Sequence, residues 1–172
     1  MKAAFVVAMI LAAVSSLSAA EKDDVILPRD AKTGTFMYQD VVALEGVPAK
    51  ELYSRAKAWV AQAYKSAKDV IQLDDRDAGR LVVKGLISIS WMGNAVWVRH
   101  TVTIEVKDGR YRYTITDFVF DTGHWTAPLE DEKRLRPGRQ KVLARTAAAV
   151  DALLVALKSV MASSSPVGSD AW

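Results

Sequence analysis

The chain has 172 residues, half apolar and a quarter charged, which suits one domain with a sizeable core. A net charge of +3 is too small an excess for a nucleic-acid binder, where a concentrated basic patch is expected. Cysteine is absent and the only histidines are His100 and His124, which excludes disulfides, thiol catalysis, thiolate or histidine-rich metal sites and lipid attachment through an N-terminal cysteine. No residue pattern implies a cofactor.

Residues 1–20, "MKAAFVVAMILAAVSSLSAA", read as a secretory signal peptide: Lys2, an apolar run, then small residues before charged Glu21. The small, Ser- and Ala-rich second half favours cleavage over retention as an anchor. Cleavage would remove one positive charge, and the mature protein would be periplasmic or secreted with no transmembrane segment. Residues 21–34, polar and carrying Pro28 and Gly34, read as a linker or N-terminal arm. A single domain is expected over 35–162, and residues 163–172 read as a flexible tail.

Within the domain, Thr35 to Leu44 reads as a strand. Pro48 suits the first turn of a helix, and Leu52, Ala56, Trp59, Val60, Ala63, Tyr64 and Ala67 recur at steps of three and four. Four strand-like runs follow: Val70 to Asp74, Arg80 to Trp91, Ala95 to Lys107 and Arg110 to Asp121. A loop leads to a second helix starting near Gly138, with an apolar stripe from Val142 to Met161.

The turns fix a register. Asp108-Gly109 is a strong two-residue hairpin signal. It sets Lys107 opposite Arg110, Val106 opposite Tyr111, Ile104 opposite Tyr113, Val102 opposite Ile115 and Val98 opposite Val119. These point to one face, because side chains alternate along a strand. Glu105 then meets Arg112 and Trp97 meets Phe120 on the other face. Gly93-Asn94, read as the preceding turn, puts the same residues of the shared strand on the apolar side. Both helices must bury their stripes against that side. The expected fold is α+β: a five-stranded antiparallel sheet, β-α-β-β-β-β-α in chain order and 1-5-4-3-2 in sheet order, with both helices on one face.

That arrangement is the TBP-like topology. The segments "ELYSRAKAWVAQAYKSAKDVIQLDDRDAGRLVVKG" (Glu51–Gly85) and "VRHTVTIEVKDGRYRYTITDF" (Val98–Phe118) resemble the domain of unknown function 4468 family, secreted bacterial proteins of TBP-like fold. The resemblance rests on Tyr53, Lys57 and Trp59 followed by "VIQLDD", and on the "DGRYRYTITDF" hairpin. It implies an envelope location of the Bacteroidetes type. It implies no catalysis, and the fold name does not imply DNA binding.

Four features compete for a function. The register sets His100 opposite Asp117 on the apolar face, as a buried polar pair. The pair could serve a small hydrolase-like enzyme as base and orienting group, but Ser88 and Ser90 point away and no nucleophile is within reach. The helix-free face carries Leu86, Trp97, Arg99, Arg112, Phe118 and Phe120, with Arg99 opposite Phe118. Such a patch suggests an envelope protein, a small-molecule ligand or a homodimer mate, unless the N-terminal arm or the loop bearing His124 and Trp125 covers it. The run "EDEKRLRPGRQK" reads as a solvated loop. "DDRDAG" lacks the spacing and closing glutamate of a calcium loop and reads as a hairpin turn. The reading favoured is a non-catalytic binding module that uses the open sheet face.

Overall fold

The computed structural model describes residues 27–163, so the expected signal peptide and nearly all of the expected tail lie outside the described residues. The elements in chain order are β1 (Tyr38–Ala43), α1 (Ala49–Ala63), α2 (Ala67–Val70), β2 (Ile71–Asp75), β3 (Arg80–Trp91), β4 (Asn94–Lys107), β5 (Arg110–Asp121), β6 (Thr126–Pro128) and α3 (Arg139–Ala162). The sheet order is β1-β5-β4-β3-β2, all antiparallel, with β6 paired to β5. The α+β architecture and strand order match the sequence expectation. The single turn α2 and the short strand β6 are additions to it.

The β4–β5 hairpin closes at Asp108-Gly109, with Lys107 opposite Arg110 and Gly109 at φ 72°. Lys107 to Val102 then pair as the alternation predicts. The same turn also ties down α1: the Asp108 carboxylate accepts the backbone N–H of Ala49 at 2.7 Å. That bond satisfies one of the donors a helix start leaves open, a role Pro48 at the N-cap cannot fill.

The β3–β4 turn is Met92-Gly93, not Gly93-Asn94, so Trp91 faces Asn94 and every pair shifts by two residues. Met92 and Gly93 have φ 49° and 85°, the two positive values that a type I′ turn requires. A shift of two keeps each side chain on its expected face. It also brings Gly85, not Ile87, opposite His100.

Both long helices pack on one side of the sheet. From α1, Leu52, Ala56, Trp59 and Val60 are buried; from α3, Val142, Val150, Leu157 and Met161. Arg55 is also buried, where its guanidinium donates to the Met161 carbonyl at 2.6 Å and to Glu51 at 2.5 Å. It thereby caps the C-terminal end of α3 from the side of α1. The start of the described chain joins the core as an ordered arm: Leu27 and Phe36 are buried, Arg29 lies over the Phe36 ring, and the Phe36 N–H donates to Glu130 at 2.6 Å. In the charge run after Pro128, Asp131 pairs with Arg134 and Glu132 with Arg139.

Candidate functional site

The register between β4 and β5 breaks once. Thr101 pairs with Thr116 but Arg99 pairs with Val119, so Asp117 and Phe118 together oppose the single residue His100. This is a β-bulge, and beyond it β5 has turned over. Four expectations change here. Phe118 and Phe120, expected on the open face, are fully buried at 1% and 0% exposure. Asp117, expected beside His100 in the core, is exposed. Arg99 faces Val119 instead of Phe118, and Trp97 faces Asp121 instead of Phe120.

Energetics explain the break. Continuing the alternation would bury a carboxylate and expose two aromatic rings. Burying each phenylalanine side chain is worth about 1.5–3 kcal/mol. The cost is one residue in the left-handed region, Asp117 at φ 57°, about 1–2 kcal/mol, and Asp is among the residues that tolerate it best.

His100 is buried at 2% exposure, as expected, but its partner is Tyr64. The Tyr64 hydroxyl lies 2.9 Å from Nε2, and Nδ1 faces the Val98 carbonyl at 3.5 Å. A carbonyl can only accept, so Nδ1 carries the proton and Nε2 accepts from Tyr64. The ring lies between those of Tyr64 and Phe118, at centroid distances of 6.1 and 6.4 Å. Burial pushes the His100 pKa down to about 4 and holds the Tyr64 phenol well above its usual value. Tyr64 reaches this position because α1 ends at Ala63 and Tyr64 itself is extended. Gly85 provides the space: a Cβ there would lie 2.3 Å from a Tyr64 ring carbon and 2.9 Å from His100. Sequence reasoning missed the roles of Tyr64 and Gly85. A glycine inside a strand is the available signal, since it marks close approach by another group.

The hydrolase reading loses its geometry. The bulge turns Asp117 away from the imidazole, the imidazole is sealed, and a base with so low a pKa is poorly matched to work near neutrality.

The helix-free face is open. Leu86 is 58% exposed and Trp97 40%, and nothing among the described residues buries either. The described part of the arm, from Leu27 on, packs into the core. Trp125 packs against Phe120 and Trp91 at 5.4 and 6.4 Å, on the helix side. Two ion pairs lie on the face, each with two guanidinium N–H groups converging on one carboxylate oxygen. Arg112 donates to Glu105 through Nε at 2.9 Å and through Nη2 at 2.5 Å, the pair the alternation predicts. Arg99 donates to Asp121 through Nε at 2.8 Å and through Nη2. The Gly123 N–H, with Arg99, holds the Asp121 carboxyl below its ordinary range. Between these pairs lies a cleft of about 340 Å³ lined by Lys84, Gly85, Leu86, Arg99, His100, Thr101, Asp117 and Val119. A larger hollow of about 730 Å³ lies at the end of the sheet, where Asp108 already occupies the start of α1.

On the helix side, Tyr53 donates to Asp74 at 2.6 Å and Lys57 pairs with the same carboxylate at 2.6 Å, joining α1 to β2. Lys57 first and Tyr53 second hold the Asp74 carboxyl below its ordinary range. These are among the residues on which the sequence resemblance rests, and the comparison of residues 38–121 with known families bears it out. The matching model is "Domain of unknown function (DUF4468) with TBP-like fold".

Over residues 38–121 the chain matches the DUF4468 family.

Among solved structures, a TBP-like protein from Parabacteroides distasonis ATCC 8503 superposes with a TM-score of 0.66 at 17% identity, covering 77% of this chain and 96% of that one. A DUF4468 family protein from Bacteroides ovatus ATCC 8483 gives 0.62 at 14% identity, covering 83% and 93%. At these identities the likeness speaks for the fold alone. No curated protein matches significantly. Among the described residues no helix is long and apolar enough to cross a membrane, and no cluster of three or more potential metal ligands is present.

Proposed function

We propose that this chain is a non-catalytic binding module of the bacterial envelope that takes a ligand on its open sheet face. The observation that carries the reading is the cleft beside exposed Leu86 and Trp97, on a face that the described residues leave uncovered. Leu86 and Trp97 are diagonal neighbours on β3 and β4, so their exposure forms one apolar patch rather than two scattered residues, the kind of surface that takes a partner or ligand. A secreted or periplasmic location rests on the signal-peptide pattern of residues 1–20. A ligand is favoured over a second copy of the chain because the site is concave and carries charges of both signs.

The test is native mass spectrometry of the protein purified from a bacterial periplasm, wild type against the Leu86→Ser/Trp97→Ser double variant. The expected result is a bound mass on the wild type that the variant lacks. A dimer lost in the variant would instead make the face a self-association surface. Identical spectra for both proteins would count against any binding role for this face.

A further inference from the structure

We infer that the cleft at the bulge takes a short peptide of two or three residues with both termini free. The inference rests on the open-face reading and adds the ligand class. Lys84 and Asp117 stand at opposite ends of the cleft, exposed, and neither has an ion-pair partner among the described residues. The neighbouring charges are committed elsewhere, Arg99 to Asp121 and Arg112 to Glu105.

The register gives the span. Lys84 pairs with Thr101, and Thr101 pairs with Thr116, the residue just before Asp117. Two strand spacings put the backbones bearing the two charges about 10 Å apart. Three extended residues cover about 10 Å, and the flexible lysine side chain allows for two. A zwitterionic peptide lying across the strands satisfies both charges at once, its ammonium at Asp117 and its carboxylate at Lys84. A simple anion or cation would answer only one of them.

The rest of the lining suits the same ligand. Thr101 lies midway and can donate to a peptide carbonyl or accept from a peptide N–H. Leu86 and Val119 flank Arg99 in the next row of residues, as an apolar wall for a side chain. The bulge holds Asp117 in a fixed, left-handed backbone conformation, so the acidic end is pre-positioned.

The experiment titrates isotope-labelled wild-type protein with Ala-Leu-Ala, its N-acetyl form and its C-terminal amide, read by amide chemical shifts. The free tripeptide should move the signals of Lys84, Thr101, Asp117 and Val119, and each cap should weaken binding by up to about fivefold. Asp117→Asn should remove the discrimination against N-acetylation, and Lys84→Met that against amidation. Equal binding of free and capped peptides would overturn the inference, as would shifts lying outside the cleft. A protein that ignores all three peptides yet carries a Leu86- and Trp97-dependent bound mass would overturn the ligand class and leave the open-face reading standing. If the peptides and the mass measurement both fail, both readings fall.

Discussion

Mild acid should destabilise the fold through one residue. His100 is neutral in the folded chain, with its pKa pushed by burial from an ordinary 6.5 down to about 4. The unfolded chain therefore binds one more proton than the folded chain between those values, and stability must fall as pH falls across that window. Stability is fully present above pH 6.5. The loss is about 2 kcal/mol at pH 5 and about 3 kcal/mol at pH 4, from the two pKa values and 1.36 kcal/mol per unit. The other histidine, His124, is exposed. The carboxyls of Asp30, Asp74 and Asp121 are held below 3.8, so they lose their contribution only at lower pH. Urea denaturation at pH 7 and pH 5 should show the midpoint falling by about 1–2 M, given ordinary urea dependences. In His100→Gln, whose amide can still accept from Tyr64, the midpoint should no longer move between the two pH values. A wild type as stable at pH 5 as at pH 7, or a variant with an unchanged pH dependence, would refute the account of His100.

Substitutions at three other positions test the packing. Gly85→Ala should cost about 1–3 kcal/mol in urea denaturation, because its Cβ would collide with the Tyr64 and His100 rings. Asp117→Gly should leave stability unchanged or raise it by up to about 1 kcal/mol, whereas Asp117→Val should lower it by about 1–2 kcal/mol, since only the first relieves the left-handed backbone. Arg55→Ala should lower stability by about 1–3 kcal/mol, as it strips the Met161 carbonyl of a buried donor, while the half-exposed Glu51 is left to solvent.

Much of the fold could be read from the sequence because two signals agreed. Period-two alternation over three long strands and glycine-bearing turns both assigned Val83, Val98, Ile104 and Tyr113 to one face, and all four are buried. The β3–β4 pairing erred by two residues because Met92 takes a positive φ that an Asn would adopt more readily. The face assignment survived because side chains repeat every two residues. The thin elements left little trace: α2 is one turn, and β6 is three residues ending in proline, held by pairing with β5.

The site was half legible. Leu86, Trp97 and the Glu105–Arg112 pair sit where alternation puts them. Strict alternation through Ile115-Thr116-Asp117-Phe118 fails, and its consequence was itself the warning. It set a carboxylate in the core and two phenylalanine rings in water, the costlier arrangement on both counts. A single bulged residue relieves both, and in doing so it brings Asp117 to the open face opposite Lys84. The Tyr64–His100 contact depends on where α1 stops and on the two-residue shift that seats Gly85 beneath it. Neither is encoded in a local pattern.

The most direct test of the strand turning over at Asp117 uses the absence of cysteine from this chain. Four single variants, Asp117→Cys, Phe118→Cys, Val119→Cys and Phe120→Cys, are treated with a thiol reagent under native conditions. With the bulge, the new thiols at 117 and 119 react quickly and those at 118 and 120 are protected. Uninterrupted alternation gives the reverse pattern, and protection at 117 and 119 with rapid reaction at 118 and 120 would contradict the account.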